Sequence, residues 1–221
     1  MANLRILSIN LFNGGAQPEA LADVLRSTAP DVVAAQELAP DAAAVLTAAL
    51  PHGVVEPGLD YRGRGLAVRH PAPITHLDLG GRSALAAQLA EPAWRFESRV
   101  EVIGIHLMNP IGRPLRATNR LRRLQLELLS EHVAAHPQPR VIVGDMNATP
   151  LWPAYRQLSG LGTDAARATG DARRTWAPRW WIPRLLRIDH AFVSELEPRR
   201  AQVVPVRGSD HSGLLIDLEV R

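Results

Sequence analysis

The sequence predicts an α/β fold, and three observations lead to this prediction. Short aliphatic runs of strand length recur along the chain, and many of them end in a polar or charged residue. Longer stretches between some of these runs repeat their apolar residues with helical spacing. The 221 residues can bury a full core and contain no linker, internal repeat or low-complexity tract, so we expect one domain over residues 1–221.

The first fifty residues contain two strand–helix pairs. The predicted strands are aliphatic runs that end in polar side chains, at residues 4–10 and 31–37. The predicted helices span residues 17–28, where apolar side chains recur at i, i+1, i+4 and i+5, and the Ala-rich residues 41–50.

The sequence changes character after residue 53. Short runs separated by Gly and Pro predict strands at residues 65–69, 74–79, 84–90 and 96–106. We expect these strands to form an antiparallel meander, because turn residues separate them at short intervals.

The longest predicted helix spans residues 116–135. Its apolar face is expected to hold Leu121, Leu124, Gln125, Leu128 and Leu129. Four arginines near its start are interpreted as solvated surface charges, with a polyanion as the alternative partner of some of them: Arg116, Arg120, Arg122 and Arg123.

The stretch VIVGDMNATP at residues 141–150 is the centre of the chemical interpretation. Its apolar start fits a buried strand, and Gly144 permits a turn or a close approach of the backbone. Asp145 and Asn147 are two positions apart, so at the end of a strand both side chains point to the same side. A carboxylate can take a proton from water, and a carboxamide can donate a hydrogen bond to a phosphoryl oxygen. A simple turn is the alternative interpretation.

The rest of the chain predicts a short helix at residues 151–158, a loop at 160–174, and strands at 187–194, 201–206 and 213–220. Polar residues therefore recur where apolar runs end or turn: Asn10, Glu37, His106, Asp145, Asn147, Asp189, Asp210 and His211. Buried strands that end in charge are costly unless the charges meet solvent, a metal or each other.

These residue types favour a hard divalent ion. Mg²⁺ prefers oxygen ligands, usually one or two carboxylates plus water, which Glu37 and Asp210 can supply. The absence of Cys disfavours zinc. The chain also lacks a P-loop and a GxSxG motif, which excludes a P-loop NTP-binding protein and argues against a serine hydrolase.

Composition limits the partners and the compartment. The formal net charge of +3 is too small for a strongly basic nucleic-acid binder, although all 25 basic residues are Arg. Arg binds phosphate well, but a composition bias explains its exclusive use more simply. No apolar run reaches the ~18 residues of a transmembrane helix, and the N-terminus does not match a signal peptide. We expect a cytoplasmic monomer.

In chain order, the motifs SIN, QE, IHL, GDMNATP, RIDHAFVS and GSDH resemble those of the endonuclease/exonuclease/phosphatase superfamily over residues 4–218. GDMN, IDH and SDH are specific in this combination, although each is weak alone. The superfamily includes DNase I, exonuclease III-type repair nucleases, sphingomyelinases and inositol-polyphosphate phosphatases. The resemblance implies a four-layer α/β sandwich, in which two mixed β-sheets pack face to face with helices on the outside.

The resemblance also implies a metal site. Glu37 would be the main Mg²⁺ ligand, Asn10 would orient the metal or the phosphate, and Asp210 would lie beside the metal. Mn²⁺ is expected to substitute for Mg²⁺. The repair nucleases carry an acidic residue two positions after the Asn of the first strand, where this chain has Phe12. The assignment to abasic-site repair is weaker for that reason.

The remaining implied roles concern water and phosphate. Asp145 would position or deprotonate the attacking water, and Asn147 would donate a hydrogen bond to the phosphoryl group. His211, oriented by Asp189, would stabilise the charge of the transition state. His106 would contact the phosphate or the leaving group, at a position where the repair nucleases prefer Tyr. In-line attack by water follows from these roles.

The leading hypothesis is a Mg²⁺-dependent phosphoesterase, and within it we favour a nuclease that acts on DNA or RNA phosphodiesters. The alternative is a phosphatase or phosphodiesterase for a lipid-linked or small organic phosphate. A binding module without catalysis is the third and least favoured hypothesis, because the acidic and His positions are all present.

The stretch TWAPRWWIPRLL at residues 175–186 fits neither a helix nor a strand. Trp180 and Trp181, among interleaved arginines, suit single-stranded nucleic acid or a membrane interface as a weak substrate-binding site. The favoured interpretation is that the three tryptophans of this loop cover the core.

The other histidines are interpreted as structural or superficial. His190 follows Asp189 on a strand and would point to the opposite face. The remaining five have no carboxylate in a shared motif and are expected on the surface: His52, His70, His76, His132 and His136.

Overall fold

The computed structural model describes residues 2–112 and 114–220. Its strands, in chain order, are β1 (Ala2–Asn10), β2 (Val32–Gln36), β3 (His52–Glu56), β4 (Arg64–Val68), β5 (Ile74–Leu77), β6 (Ala84–Leu89), β7 (Val100–His106), β8 (Arg140–Asp145), β9 (Thr163–Asp164), β10 (Asp189–Ser194), β11 (Glu197–Pro205) and β12 (Ser212–Val220). Its α-helices are α1 (Pro18–Thr28), α2 (Pro40–Ala49), α3 (Leu115–Ala135), α4 (Pro153–Ser159) and α5 (Ala165–Ala168). Pro lies in the first turn of α1, α2 and α4, where a missing N–H leaves no intrahelical bond unmade.

The strands form two mixed sheets of six strands each. The first has the order β11-β12-β1-β2-β4-β3, and the second has the order β5-β6-β7-β8-β10-β9. One pair in each sheet is parallel, β1 with β2 and β7 with β8, and the other pairs are antiparallel.

Alternation along each strand builds three hydrophobic layers. In β1, Leu4 and Ile6 point into the core between the two sheets, whereas Leu7 and Ile9 point to the core under α1 and α2. A third core lies between the second sheet and the helices α3 and α4. Helices, sheet, sheet and helices therefore form four layers, which confirms the predicted four-layer α/β sandwich.

The predicted meander is wrong in one respect. Strands β5, β6 and β7 form an antiparallel run in the second sheet, but β4 pairs with β2 and β3 in the first sheet. Gly and Pro mark the turns between strands but carry no information about the sheet that a strand joins. The sequence also missed β3, and the predicted loop at residues 160–174 contains β9 and α5.

The predicted buried face of α3 is also wrong in part. Leu121 and Leu124 are exposed, and the buried residues are Thr118, Arg122, Gln125, Leu126 and Leu129. Polar side chains occupy this face because it packs on backbone groups that need partners. Gln125, for example, accepts a hydrogen bond from the amide of Met108.

Two of the five histidines expected on the surface have carboxylates beside them that belong to no shared sequence motif. His132 Nε2 lies 3.0 Å from Glu101 Oε1, and His76 Nε2 lies 2.8 Å from Glu56 Oε1. These carboxylates come from distant strands, so no sequence motif could reveal the pairs. His190 is fully buried on the face opposite Asp189, as predicted.

No helix in the described part of the chain combines the length and the apolar character that a membrane crossing requires.

Candidate active site

The predicted site residues meet between the two sheets, at one end of both. Val141 and Val143 face the core between the sheets, and Asp145 continues their row at the end of β8. Asn10 continues the inward row of β1 in the same way, and His106 continues that of β7. The alternation of side chains along each strand, which places the apolar residues in the core, therefore also places these polar side chains at a common point.

Strand pairing fixes which of these residues are neighbours. His106 lies opposite Asp145 in the parallel pair of β7 and β8, and Asp189 lies opposite Asp145 in the antiparallel pair of β8 and β10. Glu37 follows β2, while Asp210 and His211 lie in the turn before β12. Both sheets therefore supply residues to one site.

The carboxylate of Asp145 is the hub of the site. Its Oδ1 accepts a hydrogen bond of 2.8 Å from the amide of Asn147. Its Oδ2 accepts hydrogen bonds from the side-chain amides of Asn10 at 3.1 Å and Asn147 at 3.3 Å. Nε2 of His106 and Nε2 of His211 lie 3.4 Å and 3.8 Å from the same oxygen.

Asp189 and His211 form a buried ion pair. His211 Nδ1 donates to Asp189 Oδ2 at 2.9 Å, which leaves its Nε2 directed towards Asp145 and Asp210. Burial by itself lowers the pKa of His211, but the carboxylates of Asp189 and Asp145 outweigh burial and raise that pKa to about 9. The imidazole is therefore positively charged at neutral pH.

The other titratable groups have pKa values shifted in the directions that burial dictates. Burial raises the pKa of Asp145, against the opposing effect of the His211 charge. Burial also lowers the pKa of His106 well below its ordinary value, helped by the positive charges of Arg82 and His211. Shifted groups gathered in one cleft are typical of a functional site.

The donor set fits a divalent metal ion. Glu37, Asp145, Asp189 and Asp210 place four carboxylates in the site, and the Asp189–His211 pair accounts for only one of them. Asp210 Oδ1 is buried and has no hydrogen-bond partner in the described chain, while its Oδ2 accepts from Trp176 Nε1 at 3.1 Å. Burial raises the pKa of Asp210, and a cation bound beside it would lower that pKa again, because an opposite charge favours the ionised carboxylate.

Two groupings of these residues are candidates for the metal. Ligand atoms of Asp145, Asp189 and His211 lie within 4.8 Å of one another. Nδ1 of His211 is already used by Asp189, however, and hard cations prefer oxygen. The oxygens of Glu37, Asn10 and Asp210 are therefore the better set, and Asn10 Nδ2 already links to Glu37 Oε1 at 3.2 Å.

Strained backbone positions also cluster here. Glu37 and Asn147 have φ values of 51° and 46°, a region that L-residues rarely adopt. Gly144 has φ 152°, and a Cβ at this position would lie 1.8 Å from the carbonyl oxygen of Ile105. The GDMN motif therefore needs its glycine so that β8 can lie close to β7 just before Asp145.

Three arginines at the site, of which Arg122 is buried and Arg184 and Arg82 are half-buried, were not predicted as parts of it. Arg122, expected as a solvated charge, is buried and donates to the carbonyls of Met108, Met146 and Asn147. Its hydrogen bonds to these carbonyls therefore fix the main chain at Asn147. The carbonyl partners are backbone groups that leave no mark in the sequence.

Arg184 has a similar role in the turn that carries Asp210 and His211. Its guanidinium donates to the carbonyls of Ser209, Asp210 and His211 at 2.7–3.0 Å. The arginines interleaved with tryptophans in the loop at residues 175–186 had suggested contacts with single-stranded nucleic acid or anionic lipid. Arg184 instead binds the turn that carries Asp210 and His211 and holds it in place.

Arg82 lies beside the cleft with its guanidinium 4.6 Å from the ring centre of Tyr61. Its Nε and Nη1 atoms are buried without a partner among the described residues. Burial lowers the pKa of Arg82, and the nearby Tyr61 and the negative charges of Glu37 and Asp145 oppose that shift. Such a cation can receive an anion that enters the cleft.

The loop at residues 175–186 does not cover the core as favoured from its sequence. Trp176 is half-buried and donates to Asp210, but Trp180 and Trp181 are exposed. Their rings meet edge to face at 5.7 Å near the tip of the loop. Neither ring belongs to the polar site itself, and their role as substrate contacts stays a prediction.

The site opens into a cleft of about 550 Å³. Its floor holds Glu37, Asp145, Asp210 and His211, and apolar side chains such as Ile111 and Trp152 form its walls. The arrangement can activate a water molecule, hold a cation and place positive charge beside an anion.

The model of the endonuclease/exonuclease/phosphatase family matches residues 7–211. Among solved structures, a protein of this family from Bacteroides vulgatus superposes with a TM-score of 0.78 at 17% identity, covering 100% of both chains. D. rerio TDP2, solved with a single-strand DNA product, gives 0.74 at 17% identity over 100% of both chains. The mannosyl-6-phosphatase Bt3783 of Bacteroides thetaiotaomicron gives 0.73 at 17% identity over 98% of this chain and 99% of that one. No curated protein matches the sequence significantly.

Proposed function

Since this chain belongs to the endonuclease/exonuclease/phosphatase family, we propose that it is a Mg²⁺-dependent phosphoesterase in which Asp145 activates the attacking water. Family membership makes it a hydrolase of phosphate esters, in a family that generally uses a divalent metal. The observation that carries the proposed mechanism is the convergence of Asn10, Asn147 and His106 on one oxygen of Asp145.

Asp145 is the proposed general base. The amide of Asn147 and the side chain of Asn10 orient its carboxylate, so one lone pair can accept a proton from water while the others are occupied. Its buried position raises its pKa, which makes the carboxylate a stronger base than an exposed Asp. Water would attack phosphorus in line, on the side opposite the leaving oxygen.

His211 and Asn147 are the proposed contacts of the phosphoryl group. The imidazolium of His211 presents Nε2–H to charge that develops on the phosphoryl oxygens, and Asp189 keeps the ring charged and oriented. His106 is neutral because its pKa is low, and it is proposed to contact the phosphate or the leaving oxygen.

The metal site is proposed at Glu37, Asn10 and Asp210. A divalent ion bound there would neutralise part of the carboxylate charge and the charge on the phosphate. Asp210 Oδ1 supports this assignment, since it is buried and without a protein partner among the described residues.

Nucleic acid, the substrate favoured from the sequence, stays a prediction, and a lipid-linked or small organic phosphate stays the alternative. Proteins of similar fold include one solved with single-strand DNA product and one named as a sugar-phosphate phosphatase. Two of the arginines interleaved with the tryptophans, Arg184 and Arg187, are engaged inside the protein. These two arginines are therefore not free to bind the phosphates of a nucleic acid along this loop, which weakens the case for such a binding site.

The test is hydrolysis of bis(p-nitrophenyl) phosphate by the purified protein. We expect activity with Mg²⁺ or Mn²⁺ and its loss with EDTA. Glu37→Gln should need more Mg²⁺ for half-maximal rate, whereas Glu131→Gln, an exposed carboxylate on α3, should match wild type. Activity that survives EDTA, or an unchanged Mg²⁺ titration in Glu37→Gln, would refute the metal assignment.

A further inference from the structure

The mouth of the cleft carries the exposed large hydrophobic side chains of the protein. Within residues 2–112 and 114–220, all but three of these side chains lie on the loops and turns at the catalytic end of the sheets. The three exceptions, Leu115, Leu121 and Leu124, lie on α3, and Leu115 is the first residue of that helix. None lies on the described loops at the opposite end. Such one-sided exposure marks an interaction surface.

Aliphatic side chains stand at the tips of three separate loops. Leu59 is 87% exposed on the loop between β3 and β4, Ile111 is 76% exposed between β7 and α3, and Leu151 is 88% exposed between β8 and α4. A leucine or isoleucine has no flat ring on which a base could stack. It gains free energy when it enters hydrocarbon.

The tryptophans of the fourth loop are presented at the same end. Main-chain hydrogen bonds from Thr175 and Trp176 to Leu186 close the base of this loop, and Pro178 and Pro183 limit its conformations. Trp181 is 59% exposed beyond that base, with Trp180 packed on its edge. Trp is the side chain that prefers the boundary between hydrocarbon and headgroups.

Exposed arginines accompany these apolar groups. Arg179 lies 5.2 Å from the ring centre of Trp181, Arg116 follows Leu115 at the start of α3, and Arg207 lies in the turn before β12. None of the three arginines forms an ion pair with a carboxylate in the part of the chain that the structure describes. Their charges suit a surface of anionic headgroups.

We propose that the mouth of the cleft docks on an anionic lipid bilayer, and that the substrate is a phosphate ester at headgroup depth. The inference rests on the proposed function, because it assigns a substrate class to the same site. The aliphatic loop tips decide between a bilayer and single-stranded nucleic acid, since they can enter hydrocarbon but cannot stack on bases. The cleft floor would then face the headgroups.

The test is co-sedimentation with vesicles of phosphatidylcholine and phosphatidylserine, with pure phosphatidylcholine vesicles for comparison. Wild-type protein should pellet with the anionic vesicles, and less so at high salt. Leu59→Ser with Leu151→Ser should weaken binding by at least about tenfold, and so should Trp180→Ala with Trp181→Ala. Thermal melts should show that both double variants are folded, because the substituted side chains are exposed.

Leu121→Ser is the matched control, since Leu121 is an exposed leucine that lies on α3 and does not line the cleft. It should bind vesicles as wild type does. The proposal is overturned if wild type does not pellet, if Leu121→Ser binds as weakly as the mouth variants, or if the mouth variants bind normally. Binding to a single-stranded oligonucleotide that needs Trp180 and Trp181, without vesicle binding, also overturns it.

A separate measurement distinguishes this failure from failure of the proposed function. Wild type that hydrolyses bis(p-nitrophenyl) phosphate but ignores vesicles refutes the docking surface alone. Asp145→Asn should bind vesicles as wild type does, because docking does not use the chemistry of the site. Vesicle binding by a wild-type protein that hydrolyses no phosphate ester would support the docking surface and overturn the assigned substrate.

Discussion

Strand β10 has an Asp–His cluster on each of its two faces, and the two clusters differ in how completely their charges are paired. On the inner face, Asp189 pairs with His211 in the candidate active site. On the outer face, His190 lies 3.6 Å from Asp164. We call the outer group the structural cluster: Asp164, Arg187, His190 and Tyr155.

The structural cluster satisfies its one carboxylate completely. Asp164 Oδ2 meets Arg187 at 2.8 Å and accepts from the Tyr155 hydroxyl at 2.6 Å, while Oδ1 caps α5 by accepting two main-chain amides. Burial alone raises the pKa of Asp164, but His190, Arg187 and Tyr155 outweigh burial and lower it. A buried charge held in this way contributes to the fold and has nothing left to offer a ligand.

The active-site cluster is left incomplete. It gathers several carboxylates around one imidazolium, the pKa of Asp145 is raised, and Asp210 Oδ1 has no partner among the described residues. The comparison teaches that burial alone does not identify a functional Asp–His pair. The useful sign is a buried carboxylate oxygen that the protein itself does not satisfy, since the structural cluster leaves only the nitrogens Arg187 Nη1 and His190 Nδ1 without a partner among the described residues.

The largest expected effect is on catalysis by Asp145→Asn. The substitution keeps the shape but removes the base, so kcat should fall by about 10²–10⁴-fold. The melting temperature should change by only a few degrees. Burial of the ionised carboxylate costs free energy, and the substitution removes that cost together with the hydrogen bonds of the charge. Steady-state kinetics and thermal melts measure the two effects. Asp23→Asn, an exposed carboxylate on α1, should keep full activity, and wild-type kcat in Asp145→Asn would refute the assignment.

The opposite result is expected for Asp164→Asn in the structural cluster. Loss of the carboxylate leaves Arg187 buried without its counter-charge, which should cost about 3–5 kcal/mol of stability. Urea unfolding measures the difference. The control is Asp171→Asn, whose exposed partner Arg173 makes a pair worth about 0–1 kcal/mol. Equal losses of stability in the two variants would show that the buried pair contributes no more than the exposed pair.

The pH dependence of that stability follows from the lowered pKa of Asp164. A carboxylate with a lowered folded-state pKa stabilises the fold above its unfolded pKa of ~3.9 and loses this contribution as pH falls through the folded value. The difference in the free energy of unfolding between wild type and Asp164→Asn should therefore stay constant near neutral pH and shrink only below about pH 4.

His211→Ala should lower kcat by about 10²–10³-fold, because the imidazolium acts on charge that develops in the transition state. Asp189→Asn should reproduce part of this loss, since Asp189 holds the ring in place. The double variant should be little worse than His211→Ala alone, because the two residues act as one unit. If the losses in kcat of the two single variants add in the double variant, the two residues act independently and the proposed link is wrong.

The smallest expected effect concerns Arg82. If its buried N–H groups bind the substrate anion, Arg82→Gln should raise KM by about tenfold or more and lower kcat less. Arg82→Lys should recover part of the loss, and Arg95→Gln at the far end of the sheets should have no effect. A lower melting temperature with unchanged KM would show that Arg82 stabilises the fold and does not bind the substrate.

The sequence by itself determined the α/β class and the members of the polar site, and the four layers followed from its resemblance to a known family. Alternation with a period of two is a local property, so it indicates where a strand ends and which side its last residue faces. Asn10, His106 and Asp145 could be predicted for that reason, and the structure brings them together. The face of His190 followed from the same rule. Their catalytic roles stay predictions.

Tertiary structure alone decided how the site is supported and how it opens. Arg122 and Arg184 bind main-chain carbonyls far away in sequence, and every residue type offers the same carbonyl. The sheet that β4 joins and the exposure of Trp180 depend likewise on what packs nearby. Spacing along the chain records none of these contacts, because burial depends on neighbours that only the folded chain brings together.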